Sequence, residues 1–441
     1  MMGPIRTGGS APVEVCALGI ESASFKSIAF SPELRELLMR AFDSTIPYEE
    51  FVELPMPEGC DPQDMWDFVM TVMHCSGETR NLRAWRKGVE KNVCWSYETK
   101  DIRRDLFHIA SLANPDSPLN SVLPSVRNED RLLSYIWEEM AHCARFDGIY
   151  VPERLVSEIW KGRKKPVNDG QRVIANAAKV FTHASRLAGA APYSRMLIAE
   201  IQELLVEGTS GGDGFVPSYH WDPDIIKTEL TESPVYANQL LDFEMQLTKD
   251  IVDVQDVVKT AAFAGTALRD VAYVPMFRNL TELLLRAVFF SKKKTAILAY
   301  VPASSIYDNR MGESKRNYIL DSARCADEGL FTNWLHWGMV KAYREGIDAI
   351  AETIDDLEQD ARVRKAAISK IPSLTLRQRS FLGLAASHPT RWFKVKEYAD
   401  YYDVAYATAR KDLNELTSRG YLAMRKIGRA YCYQSVPTSR V

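Results

Sequence analysis

The sequence predicts a mainly α-helical protein: a helical N-terminal region, a larger helical body, and a small C-terminal domain that joins helices to a pair of strands. Three observations carry this. Apolar residues recur at helical spacing through most of the chain. They are densest at Leu280, Leu283, Leu284, Ala287 and Val288, a face with so little polar interruption that its helix must be buried on most sides. Beyond residue 361, three short helical patterns lead into YLAMRKIGRAYCYQ, two alternating runs around a turn at Ile427 and Gly428. Charge divides along the same line: from residue 361 on, sixteen Lys and Arg stand against five Asp and Glu. That surplus of eleven leaves −14 on the preceding chain, for a net charge of −3.

The length, 441 residues, allows two or three domains with cores of their own. A hydrophobic share of 46% with 26% charged residues excludes a disordered or fibrous chain. The seven cysteines include no C-x-x-C pair, and their odd number argues against a disulfide framework, so a reducing cytoplasm is the expected setting. The start, MMGPIRTGGSAP, lacks the apolar stretch of a secretion signal, and no run approaches the roughly 18 apolar residues of a membrane span. A soluble, intracellular protein with no membrane partner is expected. His74 and Cys75 are adjacent and poorly placed to share one metal, so they are read as packing residues. No other Cys/His constellation, Ser/His/Asp order or nucleotide fingerprint stands out, and neither metal nor cofactor is expected.

In chain order, residues 1–12 are rich in Gly, Pro and Ser and are expected to be mobile. A helical N-terminal region, 13–124, follows. Ser31 is placed as an N-cap with Pro32 at the first helical position and Glu33 in the first turn. A second helix is expected over 65–74, and RNLRAWRKGVEKN reads as a basic, solvated face, with a phosphate contact as the alternative. SLANPDSPLNSVLP is rich in turn formers and marks a boundary near Pro124. The body, 125–360, begins with helices over 130–145, 152–161 and 169–187, a break at 189–192, and a helix over 194–206 ended by Gly208. GTSGGDGFVP is a glycine-rich turn without the Lys-Ser or Lys-Thr of a phosphate-cradling loop. After a helix at 233–248, residues 265–290 read as helix, loop and helix, broken by Pro275.

The order of motifs in the body resembles the Fic family. SYIWEEMAHCARFDGI is similar to the family's N-terminal helix, which carries an inhibitory Ser/Thr-x-x-x-Glu-Gly sequence. LIAEIQELLVEG resembles its helix ending in Leu-x-x-Gly. VPASSIYDNRMGESKRNYILDSARCADEGLFTNWLHW resembles the stretch after the catalytic helix, with Ile306, Asn309, Arg310, Tyr318, Gly329, Thr332 and Trp334 at family-like places. The resemblance spans residues 131–354 and implies a nucleotidyl transfer site built on the loop His-Pro-Phe-x-Asp-Gly-Asn-Gly-Arg. There the His takes a proton from the target hydroxyl, while the glycines, Asn and Arg hold phosphates at a helix start.

In this chain the flanking helices place Ala272 at the His, Met276 at the Asp, Arg278 at the Asn and Leu280 at the Arg. No histidine lies between His220 and His336, and the His388-Pro389 pair is followed by TRW. Cys143 and Asp147 replace the Ser/Thr and Glu of the inhibitory sequence, with Gly148 kept. The expectation is a pseudoenzyme without a catalytic residue. Arg278 near a helix start could hold an anion, although an exposed or salt-bridged arginine is the commoner arrangement. Trp334 and Trp337 read as core rather than as a cavity wall.

The C-terminal segment, 361–441, opens within a helix-forming stretch that Pro372 stops. LTLRQRSFLGLAASHP places Leu376, Phe381, Leu382 and Leu384 on an apolar face, and KVKEYADYYDV forms a second helix turned at Asp403. AYATARKDLNELTSRG is a third, with Ala405, Ala409, Leu413 and Leu416 as its packing stripe and Gly420 at its end. Tyr406, Thr408, Arg410, Lys411 and Asn414 lie opposite that stripe and are candidates for a DNA major groove. Arg425, Lys426 and Arg429 at the hairpin tip suit phosphates or a minor groove.

Three helices and a basic hairpin resemble a winged helix of bacterial regulators, a domain that also trails Fic proteins. Ala405 stands where a Ser N-cap is usual, leaving Thr408 or Asp403 to satisfy the helix start. The expected function is a transcriptional regulator that binds double-stranded DNA as a homodimer. The alternatives are an adaptor that docks a protein partner through the same domain, and an active Fic-type AMP transferase using another base.

Overall fold

A computed structural model of the chain describes residues 28–81, 93–187, 195–209, 253–266, 268, 277–312, 330–331, 333–369, 371, 374–386, 391–428 and 430–436. The chain forms two compact units, one of residues 1–104 with 313–335 and the other of residues 105–312 with 336–441. The expectations for residues 1–12, for Trp85 and its basic neighbours, for the helix at 233–248 and for the break at 189–192 lie outside the described residues.

In the first unit, α1 (Pro32–Asp43) begins as the sequence predicts: Ser31 Oγ accepts from the Leu34 amide at 3.1 Å, with Pro32 in the first turn. It buries Leu34, Leu37 and Ala41. A one-turn α2 (Tyr48–Phe51) precedes α3 (Pro62–Ser76), capped by Asp61 and buried through Met65, Trp66, Val69, Met70 and Met73. His74 is a packing residue, its ring set edge-on to Trp95 at 4.9 Å. The helical N-terminal region also contains a small sheet that the sequence does not announce. β1 (Glu78–Asn81) runs antiparallel to β2 (Val93–Ser96), and β2 pairs in parallel with β3 (Leu330–Phe331). These strands are too short to show an alternating pattern, and one comes from far along the chain.

α4 (Lys100–Ala113) leads into the second unit. Part of SLANPDSPLNSVLP is helix rather than turn: α5 (Pro118–Val126) starts at Ser117, whose hydroxyl accepts from the Asn120 amide, and accommodates Pro124 within. Pro118 in the first turn needs no amide partner, so proline starts this helix instead of breaking it. The body then runs through α6 (Asp130–Phe146), α7 (Glu153–Trp160), α8 (Asp169–Thr182), α9 (Ala184–Leu187), α10 (Arg195–Val206), α11 (Val254–Thr266), α12 (Arg278–Lys292) and α13 (Ala303–Met311). α14 (Asn333–Ser369) runs for 37 residues toward the C-terminal domain.

The predicted central helix is α12, and every residue from Asn279 to Phe290 is buried. It is surrounded by α6, α8, α9, α10, α11 and the turn Ala296–Tyr300. Full burial of Leu280, Leu283, Leu284, Val288, Phe289 and Phe290 contributes about 1.5–3 kcal/mol per side chain, which makes this helix the hydrophobic axis of the body. It also carries Glu282 and Arg286, both without exposed surface. Arg286 Nη2 donates to Glu139 Oε1 at 2.5 Å, and its Nε lies 3.7 Å from Glu282 Oε1. Trp337 is core, as expected, at 3% exposure.

The C-terminal domain packs α15 (Leu376–Ala386), α16 (Val395–Tyr402) and α17 (Tyr406–Ser418) against a sheet of order β4-β6-β5. Its strands are β4 (Phe393–Lys394), β5 (Leu422–Ile427) and β6 (Ala430–Ser435), paired antiparallel. Phe381, Leu382, Tyr398, Ala409, Leu413, Leu416 and Tyr433 form its core. Two details of the expected packing are corrected. Leu376, in the first turn of α15, is 86% exposed, and Gln378 takes the buried place instead, accepting from the Thr375 amide and donating to Glu415. Ala405 is exposed because it caps α17 rather than belonging to its stripe.

Candidate nucleic-acid interface

α17 is fixed by one buried carboxylate. Asp412 faces the core and accepts from Arg377 of α15 at 2.7 Å and from the Tyr398 hydroxyl of α16 at 2.9 Å. All three helices are thereby tied at one point. Burial, then the hydrogen bond to Asp412, pushes the Tyr398 hydroxyl well above the ordinary tyrosine range, and the Asp412 bond also raises the Arg377 guanidinium. Asp403 takes a left-handed φ of +48° in the turn before α17, and Gly420, with φ of +80°, follows its end. No side chain caps α17 at Ala405, so the expected compensation by Thr408 or Asp403 is not made at the cap position.

The buried stripe of α17 is Ala409, Leu413 and Leu416, as predicted. Directly opposite stand Ala407, Lys411, Asn414 and Ser418, all exposed. Tyr406, Arg410 and Asn414, one turn apart, follow the edge nearest the hairpin. Arg410 lies over the Tyr431 ring at 5.6 Å, and Asn414 Oδ1 accepts from the Tyr433 hydroxyl at 2.8 Å. Thr408 is exposed on the other flank. The structure therefore gathers Tyr406, Arg410, Lys411 and Asn414 around one surface and sets Thr408 to its side.

Arg425 and Lys426 are exposed on β5, and the hairpin turns at Gly428 with φ of +62°; Arg429 lies outside the described residues. Two further residues border this surface that no strong local signal singles out. Ala407 sits in the middle of the exposed face, where its methyl can meet a thymine methyl; the helical spacing of 407, 411, 414 and 418 could have found it. Trp392, half-buried beside β4, supports Arg425, whose guanidinium lies 4.5 Å from the ring centre. A two-residue strand leaves no pattern from which that pairing could be foreseen.

Of the loop positions in the body, Ala272 and Met276 lie outside the described residues. Arg278 is exposed at the start of α12, and Leu280 is core. Phe277 precedes them in a left-handed conformation, φ 42° and ψ 44°, and caps nothing. The start of α12 is closed from elsewhere. Asp147, just past α6, accepts from the Asn279 amide at 3.0 Å and from the Leu280 amide at 2.8 Å, and it takes the Asn279 side-chain amide at 2.7 Å. Gly148 has a local reason: with φ of +82° it lets the Ile149 amide reach back to the Ala144 carbonyl and close the C-terminus of α6. Cys143 is buried.

Residues 390–436 match the sequence family described as a DeoR-like helix-turn-helix domain, the stretch that contains α16, α17 and the hairpin. The chain is also similar to the crystal structure of a Fic family protein from Desulfovibrio desulfuricans. That likeness covers 77% of this chain and 96% of the other, with a TM-score of 0.41 and 12% identity, a degree at which no residue inherits a role. No curated protein sequence matches the chain. Among the described residues, no group of three or more His, Cys, Asp or Glu is placed to hold a metal ion. Among them too, no helix is long and apolar enough to cross a membrane.

Proposed function

We infer that this protein binds double-stranded DNA through its C-terminal winged helix and acts as a transcriptional regulator. The observation that carries the reading is the surface of α17, where Arg410, Lys411 and Asn414 stand exposed beside a hairpin bearing Arg425 and Lys426. A helix of this kind enters the major groove while the hairpin meets the backbone, and each cation set against a phosphate releases counterions. The local charge surplus, sixteen basic against five acidic residues from 361 on, favours that polyanion over a neutral partner. Fluorescence anisotropy of labelled duplex, titrated at a series of salt concentrations, tests it. The logarithm of affinity should fall linearly with the logarithm of salt, by about 0.9 per phosphate neutralised. Affinity that ignores salt would overturn the reading.

The body, on this reading, carries no transferase chemistry. Two facts support it: the absence of any histidine between His220 and His336, and the Asp147 carboxylate seated on the amides at the start of α12. A phosphate would have to displace that carboxylate, against its negative charge. Incubation with labelled ATP and cell extract should transfer no label to protein. The regulator is further proposed to be a homodimer that presents two copies of α17 to a two-fold site, with half-sites separated by one or two helical turns, about 34 Å each. Light scattering of the free protein and footprinting on genomic DNA check the two parts separately.

A further inference from the structure

A cleft of about 590 Å³ opens in the second unit between the C-terminal half of α6, the turn into α7, and α13. It has the size of a small-molecule site, for which roughly 300–1,000 Å³ is usual. Its floor is polar and built. His142 Nε2 and Asp308 Oδ2 are 2.8 Å apart, with both side chains only 9% exposed, and Glu138 Oε1 accepts from the Ser305 hydroxyl at 3.0 Å. The rim is aromatic: Phe146 is exposed with its ring 4.9 Å from the His142 ring, and Tyr150 is 83% exposed. Glu153 adds a further carboxylate. None of these groups belongs to the C-terminal interface or to the start of α12.

We propose that this cleft binds a small organic cation, an aromatic or hydrocarbon group carrying a primary ammonium. The charge balance selects the sign. Glu138, Glu153 and Asp308 line the cleft against Arg145 and the one imidazole, so a carboxylate or phosphate ligand meets an excess of like charge, whereas an ammonium meets acceptors. The two exposed rings select the rest. An aromatic face attracts a cation and stacks on an aromatic ligand, and Tyr and Phe left open at a cleft mouth offer both. His142 and Asp308 pair at 2.8 Å in the wall of the cleft. The ligand is held between a carboxylate floor and an aromatic rim.

Three probes of one shape and different charge decide the matter: tyramine, 4-ethylphenol and 4-hydroxyphenylacetate. Each is titrated into the full-length, DNA-free protein and followed by saturation-transfer NMR and calorimetry. Tyramine should bind saturably and about tenfold more tightly than either of the others, as expected for a charge-assisted hydrogen bond. Asp308→Asn should weaken tyramine by about tenfold. Because that change lies in a partly buried pair, Glu153→Gln and Tyr150→Ala, both on the open rim, provide variants that leave the fold alone. Each should weaken tyramine severalfold, while Arg145→Gln leaves it unchanged or tighter. Equal affinity for the three probes, no saturation by tyramine, or tyramine binding indifferent to both rim variants would each overturn the proposal. DNA is absent from the measurement, so its outcome stands apart from that of the DNA-binding experiments.

Discussion

Replacing Asp147 with Ala removes the acceptor from three donors at the start of α12: the amides of Asn279 and Leu280 and the side-chain amide of Asn279, at 2.7–3.0 Å. The helix has no local substitute, since Phe277 at the N-cap contributes no side-chain bond and sits in a left-handed conformation. Loss of an ordinary N-cap costs about 0.5–2 kcal/mol. Here the orphaned amides are at a buried helix start, with Asn279 at 7% and Leu280 at 0% exposure, so the upper part of that range or slightly beyond applies. A destabilisation of about 2–3 kcal/mol is expected, read as a lower urea midpoint for the body with unchanged slope. Asp147→Asn retains one acceptor oxygen and should lose about half as much.

Asn279→Ala completes a double-mutant cycle with Asp147→Ala, and a coupling of about 1 kcal/mol is expected for two groups in direct contact. A loss below about 0.5 kcal/mol for Asp147→Ala would refute the capping argument, because surface substitutions of no structural consequence fall in that range. The same variant also separates lost chemistry from blocked chemistry. Removing the carboxylate takes a negative charge from the start of α12, and on the proposed reading no general base is present to use it. Label transfer from ATP should therefore remain absent, and its appearance in Asp147→Ala would show an intact activity that Asp147 had masked.

Glu139→Ala should destabilise the body by about 3–5 kcal/mol, the usual result of breaking a buried ion pair, here with Arg286, and it also removes the acceptor of the Ser304 and Ser305 amides. Burial raises the Glu139 carboxyl, but Arg286 and the Ser304 and Ser305 amides outweigh it and hold the carboxyl below the usual range. Its contribution is therefore complete above about pH 4.3, the unfolded value, and is lost as pH falls through the lower folded value. Glu139→Gln should accordingly flatten the acid limb of a stability profile, and an unchanged limb would count against the assignment. Arg410→Ala should weaken DNA binding and reduce discrimination between sequences, as measured by competition with mismatched duplexes. Lys426→Ala should weaken all duplexes alike and lower the salt slope by about one unit, the signature of a phosphate contact.

What the sequence revealed and what it hid follow from the range of each interaction. Ser31 and Pro32 announce α1 because capping acts within one turn, and the unbroken apolar run of α12 announces burial because no helix face remains for water. The stripe of Ala409, Leu413 and Leu416 was legible for the same reason. Leu376 is exposed although apolar, because apolar character in a first turn says little about which way the chain enters the helix. The sheet in the first unit joins Trp95 to Phe331, and the cap on α12 joins residues 132 positions apart, contacts that leave no local pattern. Asp147 looked like an eroded motif because its residue type was compared with a pattern, whereas its partner amides are visible only in three dimensions.

Glu139 of α6 and Asp147 just past its end share one role. Asp147 closes the start of α12, and Glu139, two turns earlier, accepts from the amides of Ser304 and Ser305 at the start of α13 at 2.8 and 2.9 Å. Helix starts are where a scaffold without basic side chains still attracts phosphate. In this body two of them are filled by the chain's own negative charge, in a portion of the sequence, residues 1–360, that carries −14 against the +11 of the C-terminal segment. Those carboxylates disfavour anions at the two helix starts, whereas Arg410, Lys411, Arg425 and Lys426 stand exposed on the C-terminal domain. If the body did retain a phosphate site, free ATP would compete with the protein's own carboxylates and stabilise the full chain. Absence of any ATP-dependent rise in its melting temperature is the expected result, and a saturable rise would place nucleotide binding back in the body.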